Sequence, residues 1–129
     1  MTANDARSQV ARMNARFLQS DLAVAVNPAT LSQKGDRTRV TWPQANKAQG
    51  IFSDEIYASI SEYRAFFYGN HYTCLLNDGA LIQVSFDFIN NRLVAHRFCY
   101  YPSPLAIPNS VDVADWEIWN DMLEKELFN

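Results

Sequence analysis

Apolar and polar residues alternate most clearly between residues 72 and 101, and this period of two is typical of antiparallel strands. Asp78-Gly79 and Asn90-Asn91 interrupt the alternation with residues that accept the positive φ angles of tight turns. The sequence therefore predicts a three-stranded β-meander. Its strands are Tyr72–Leu76, Ala80–Phe88 and Arg92–Tyr101.

Alternation within the second strand predicts which side of the meander is buried. Its even-numbered residues are apolar, so we expect the helices to cover this side. These residues are Ile82, Val84, Phe86 and Phe88. A two-residue turn at Asn90-Asn91 would place Ser85 opposite His96 and Gln83 opposite Phe98, and a slip of one residue would exchange these pairs.

Apolar residues at helical spacing predict three helices outside the meander. The first covers Asn4 to about Gln19, and a second begins at Ser53. A last helix runs from about Val113 to Phe128, with Trp116 and Trp119 on its apolar side.

The region between the first two helices contains further strand signals. Ala23–Val26 and Thr38–Trp42 are predicted strands, and the second of these fits either edge of the meander, whereas polar residues make Ala29–Asp36 a predicted loop. The chain has 129 residues, 48% of them hydrophobic, which suits one domain. We therefore predict a single α+β domain over residues 1–129. In it, an antiparallel meander of three to five strands packs against an N-terminal, a middle and a C-terminal helix.

The two cysteines and the lack of long apolar segments indicate the compartment. Cys74 and Cys99 would lie two strands apart and point to opposite faces, which excludes a disulfide between them. Free thiols are typical of a reducing compartment. The apolar runs are too short to span a membrane, and no secretory signal is visible near Met1. We expect a cytoplasmic protein that does not bind membranes.

No combination of residues indicates a reaction. Ser85, Asp87 and His96 would lie close together, but a flat strand surface offers no oxyanion hole, so we interpret them as cross-strand polar contacts. Neither histidine has a second metal ligand at suitable spacing, and a glycine-rich phosphate loop is absent. We expect no catalytic residue, no metal and no cofactor.

Aromatic and charged residues are the candidates for binding a partner. In the predicted register Arg97 points towards the apolar face, where it either pairs with a structural carboxylate or holds an anion beside Tyr100 and Tyr101. Trp116 and Trp119 each need a large covering surface, from the meander or from another chain. These residues predict a protein partner or a homo-oligomer.

The net charge of −3 is unevenly distributed. Residues 1–48 hold seven Lys or Arg against three acids, and residues 111–129 hold six acids against one Lys. Solvated helix faces explain this asymmetry, although it also steers partners. Nucleic-acid binding is the alternative function, and a small hydrolase or nuclease is the third. Nucleic-acid binding would use Arg12, Arg16, Lys34, Arg37 and Arg39, with Trp42 as a stacking platform.

Two motifs resemble those of a known family. The segments Asp78–Gln83 and His96–Pro104, preceded by Ser53–Tyr57, resemble the bacterial domain of unknown function 2290 over about residues 37–105. The resemblance implies no activity. It implies longer relatives with a further β-rich segment that is absent after residue 105 here, and a genomic setting near mobile and defence islands. We therefore predict a non-enzymatic protein–protein interaction module, such as the small subunit of a bacterial defence or mobile-element system.

Overall fold

The structure is a computed structural model that describes residues 1–43 and 60–103 of the chain. The predicted start of the middle helix at Ser53 and the predicted helix Val113–Phe128 lie outside these residues. The described part contains two helices and six strands. They are α1 (Ala3–Gln19), β1 (Ala23–Val26), β2 (Thr30–Lys34), β3 (Arg37–Thr41), α2 (Ile60–Tyr68), β4 (Cys74–Leu76), β5 (Leu81–Ile89) and β6 (Arg92–Tyr101).

Helix α1 begins with a capping box. The Thr2 hydroxyl accepts a hydrogen bond from the Asp5 backbone, and the Asp5 carboxylate accepts one from the Thr2 backbone. These hydrogen bonds lower the pKa of Asp5, because they favour its charged form. Along the inner side of the helix, Ala6 and Val10 are buried against the sheet, as their spacing predicts.

Strands β4, β5 and β6 form the predicted antiparallel meander. Its first turn contains Gly79 at a φ of 86°, and its second contains Asn90 and Asn91 at 49° and 64°. Two consecutive left-handed residues make a turn whose twist matches that of the flanking strands. Both turns of the meander are confirmed.

The sheet is forked along one edge of β5. Strand β6 pairs with the whole of β5 on one side. On the other side β4 pairs with Leu81 and Ile82, and β3 pairs with the stretch from Phe86 to Ile89. Strand β1 continues the sheet beyond β4, and β2 continues it beyond β3.

Strand β2 corrects the predicted loop at Ala29–Asp36. Residues Thr30–Lys34 pair with β3, and the connecting turn contains Gly35 at a φ of 65°. Its side chains are exposed or half-buried on both faces, so the segment lacks the alternation that marks a half-buried strand. Strand β2 forms through backbone hydrogen bonds to β3, and such pairing leaves little signal in the sequence.

The two helices cover opposite faces of the sheet, whereas the alternation in β5 predicted that helices would cover one. On the face of the even-numbered β5 residues, α1 packs against Ile82, Val84 and Phe88. On the opposite face, Leu81 is buried under the aromatic residues of α2. Those aromatic residues are Tyr63, Phe66 and Phe67.

A β-bulge at Val94 shifts the predicted register of β6 by one residue. Ile89 lies opposite Arg92, as the two-residue turn requires, but Asp87 lies opposite Ala95. From there on Ser85 faces Arg97, and Gln83 faces Cys99. The predicted pairs Ser85–His96 and Gln83–Phe98 are therefore wrong, because one extra residue turns the rest of β6 to the other face.

Both cysteines are free, as predicted. Cys74 on β4 pairs with Ile82, and Cys99 on β6 pairs with Gln83, so the two thiols lie two strands apart on opposite faces. The Cys74 thiol is buried and donates a hydrogen bond to the side-chain oxygen of Asn14 over 2.9 Å. Burial raises its pKa to about 12.

Candidate functional site

Strand β6 carries an outer apolar patch, which we define as Leu93, Val94, Phe98 and Tyr100. Phe98 and Tyr100 lie opposite Val84 and Ile82, on the face that α1 covers over β5. Over β6 that cover is missing, since Phe98 is 61% exposed and Tyr100 53% exposed. Leu93 and Val94 are exposed as well. Apolar side chains therefore continue across the sheet beyond the edge of the core.

Three of the five predicted partner-binding residues lie in the described part of the chain, and they are divided between the two faces of β6. Tyr100 belongs to the outer apolar patch, whereas Arg97 and Tyr101 lie on the opposite face of β6. The Tyr101 ring packs against Phe66 with a centroid distance of 5.1 Å. Trp116 and Trp119 lie outside the described residues.

Arg97 does not point towards the apolar core face, because of the bulge. It is half-buried opposite Ser85, and its Nε donates to the Cys99 sulfur over 2.9 Å. Its Nη2 donates to the Tyr101 hydroxyl over 3.4 Å. The guanidinium thus lies on the polar side of the sheet, where it has hydrogen-bond acceptors on its own strand.

Cations from three strands, β2 and β3 on one side of β5 and β6 on the other, gather on that same side, at the end of the sheet away from α2. We call this surface the basic face. Its cations are Lys34, Arg37, Arg39, Arg92 and Arg97. Lys34 lies opposite Arg37, Arg37 lies opposite Ile89, and Ile89 lies opposite Arg92, so one row crosses all four strands.

The next row of the basic face contains an ion pair. Arg39 lies opposite Asp87, with its Nε 2.8 Å from Oδ1 and its Nη2 3.5 Å from Oδ2. Arg39 borders two shallow depressions of about 290 and 200 Å³. The larger is also lined by Ser85 and Arg97, and the smaller by Lys34 and Arg37.

The residues predicted for nucleic-acid binding are divided between the two sides of the molecule. Arg12 and Arg16 are exposed on α1, which covers the opposite face from Arg37 and Arg39. Trp42 is only 2% exposed, so it cannot serve as a stacking platform. Sequence reasoning did not assign Arg92 to this group, although its position directly after the Asn90-Asn91 turn was a usable signal.

The predicted polar contact of Ser85 and Asp87 with His96 does not form. His96 lies opposite Phe86, whereas Ser85 and Asp87 point to the other face of the sheet. Within residues 1–43 and 60–103, no three His, Cys, Asp or Glu side chains are placed to hold a metal ion. Across the same ranges, neither helix is long and apolar enough to cross a membrane.

The buried titratable residues near α2 belong to the core. Burial lowers the pKa of His71, whose ring lies edge-on to Phe66 at 6.3 Å. Burial also raises the pKa of Tyr63 and Tyr72. The Tyr63 hydroxyl donates to the Gly79 carbonyl and so links α2 to the first turn of the meander.

Comparison with known proteins gave a family but no named relative. No curated protein and no solved structure matched the chain. The family described as an uncharacterized conserved protein (DUF2290) matches residues 22–129. This match extends beyond residues 37–105 in both directions and includes the C-terminal residues. The chain therefore belongs to the DUF2290 family.

Proposed function

We propose that this protein is a protein–protein interaction module that forms a homodimer through the outer edge of β6. The observation that carries the proposal is the outer apolar patch, in which four apolar side chains lie exposed on one strand. Clustered exposed apolar surface marks interaction sites, and here it lies on both sides of His96 along the strand.

The free edge of β6 supports the same proposal. The strand has ten residues, and in the described part of the chain only β5 pairs with it. Exposed edge strands recruit other strands unless lysines, prolines or bulges protect them. Strand β6 contains no lysine and no proline, and its bulge lies near one end, at Val94.

A second copy of the chain is a suitable occupant, because β6 is compatible with itself. Antiparallel pairing centred on Phe98 would bring the two Phe98 rings together and place Tyr100 beside His96 of the partner subunit. On the other face, Arg97 would lie beside Cys99 of the partner subunit and not beside another arginine. Aromatic pairs of this type contribute roughly 0.5–1.5 kcal/mol beyond the area that they bury.

Light scattering coupled to gel filtration tests the homodimer. We expect the wild-type chain to have twice its mass of 14.7 kDa. The double variant Phe98→Ser with Tyr100→Ser should be a folded monomer, since both side chains are exposed and contribute little to the core of one chain. A matched control is Leu18→Ser with Leu22→Ser, which removes two exposed apolar residues elsewhere and should leave the dimer intact.

Two results would overturn this assignment. A wild-type chain that stays monomeric across a wide concentration range would show that the protein does not form a homodimer. The chain could instead stay dimeric in the β6 double variant and become monomeric with Trp116→Ala and Trp119→Ala. That result would show that the interface lies outside β6. Thermal unfolding of every variant, followed by circular dichroism, distinguishes loss of the dimer from loss of the fold.

A further inference from the structure

We infer that the basic face is a second binding surface, and that it takes the phosphodiester backbone of a nucleic acid. This surface uses other side chains than the proposed homodimer, although Arg92 and Arg97 lie on the same strand, β6. It lies on the opposite side of the sheet from the outer apolar patch and shares no residue with it.

The charge of the exposed row supports this inference. Lys34, Arg37 and Arg92 are exposed, and none of them forms an ion pair with another described residue. This surface is positively charged, although the whole chain carries a net charge of −3. A local positive surface attracts polyanionic ligands through its field, whatever the net charge of the chain.

Among residues 1–43 and 60–103, few acids lie near these cations. Within the two rows of the basic face, the described carboxylate is that of Asp87. Its Oδ1 lies 2.8 Å from Nε of Arg39, which neutralises its charge. Asp36 follows Gly35 in the β2–β3 turn, at the margin of the surface. Lys34, Arg37 and Arg92 outnumber these acids, so the described part of the basic face is positively charged.

The spacing of the cations also fits an extended polyanion. Neighbouring strands lie about 4.8 Å apart, so the row from Lys34 to Arg92 spans about 14 Å over three strand-to-strand steps. A single phosphate group is too small to contact both ends of this row. A chain of repeated phosphates can contact the whole row at once, as in a nucleic-acid strand.

The residues of the basic face also indicate how the nucleic-acid strand would be bound. Trp42 is buried and Tyr101 packs on Phe66, so neither ring is available for base stacking. The contacts would therefore be to phosphates, through Lys and Arg, which position a strand without reading its sequence. Binding should be insensitive to sequence and strongly weakened by salt.

Fluorescence anisotropy with a labelled single-stranded DNA of mixed sequence tests the inference. The full chain should bind at low salt, and the double variant Arg37→Glu with Arg92→Glu should weaken binding by roughly tenfold or more. Loss of two phosphate contacts should also reduce the slope of log affinity against log salt by about 1.4. Both residues are exposed, so the fold should be kept.

The matched control is Arg12→Glu with Arg16→Glu, which makes the same charge change on α1. We expect this control to retain most of the binding, because α1 covers the other face of the sheet. Equal losses in the two double variants, or no DNA binding at low salt, would overturn the inference. So would equally tight binding of a poly-glutamate peptide, which would assign the basic face to an acidic protein segment.

Discussion

Arg39 on β3 lies directly opposite Asp87 on β5, and two hydrogen bonds of 2.8 and 3.5 Å join their side chains. The pair is partly open to solvent, since the Arg39 side chain is 42% exposed and that of Asp87 21% exposed. Exposed ion pairs contribute little to stability because water and salt screen them. The pair has a larger effect on the charge of the basic face, in which Asp87 lies among five cations.

Replacement of Asp87 by asparagine separates these two effects. We expect Asp87→Asn to change the free energy of unfolding by no more than about 1 kcal/mol, as measured by urea denaturation. The same variant should bind single-stranded DNA more tightly, because Arg39 no longer has an anionic partner. Asp21→Asn makes the same charge change at the end of α1 and should leave DNA affinity nearly unchanged. Equal gains in affinity would show that net charge, and not the basic face, determines binding.

The two thiols should differ sharply in reactivity. Cys74 is fully buried, and its pKa is raised to about 12, so it is almost entirely in the unreactive thiol form. Cys99 is half-buried on β6. Iodoacetamide at pH 8 should therefore alkylate Cys99 first, as mass spectrometry of peptides will show, and both thiols should react in urea. The variant Cys99→Ser should resist alkylation while folded, and rapid labelling of Cys74 in that variant would contradict its burial.

His71 should make the protein less stable in mild acid. Its pKa is lowered by burial, whereas in the unfolded chain it titrates near 6.5. Below that pH the unfolded chain binds a proton that folded His71 does not, so the free energy of unfolding falls as pH falls. The slope from this residue cannot exceed about 1.4 kcal/mol per pH unit.

Urea denaturation between about pH 7 and pH 5 measures this effect, with the pH range set by the unfolded-state pKa of histidine. We expect His71→Gln to flatten the dependence of stability on pH. The control variant is His96→Gln, which removes an exposed histidine and leaves the buried His71 in place. A wild-type stability that rises on acidification through this range would contradict the burial of a neutral imidazole.

Asn27 should be among the polar residues that matter most for stability. Its side-chain amide donates to the backbone carbonyls of Asn70 and Tyr72 over 3.2 and 2.8 Å. Its backbone carbonyl accepts a hydrogen bond from the side-chain amide of Asn14. These hydrogen bonds tie the segment after β1 to the start of β4 and to α1. Asn27→Ala leaves the carbonyls of Asn70 and Tyr72 without this donor, and we expect it to cost about 1–3 kcal/mol in urea denaturation.

Asn77 is the matched control for this substitution. Its side chain makes one exposed hydrogen bond, to the Asp21 carbonyl over 2.8 Å. Asn77→Ala should cost less than about 1 kcal/mol, since water replaces the lost partner. A larger loss for Asn77→Ala than for Asn27→Ala would refute the importance of the Asn27 hydrogen bonds.

Local sequence chemistry determined the elements whose signals lie within a few consecutive residues. The capping pair Thr2 and Asp5 sets the start of α1, and Asn90-Asn91 sets the last turn of the meander. The hydrogen bonds and backbone angles of these features involve neighbours in the chain only. Their positions could therefore be predicted from the sequence, as could the separation of Cys74 from Cys99.

The tertiary structure decided which side chains share a surface. Val94 enters β6 as one unpaired residue, and this single bulge turns Arg97 to the basic face and His96 to the other. The pairing of β2 with β3 brings Lys34 beside Arg37, although the polar β2 sequence lacks the alternation of a strand. Both outcomes depend on competition between backbone pairings across the whole sheet. Because side chains alternate with a period of two, a shift of one residue reverses every assignment of a face.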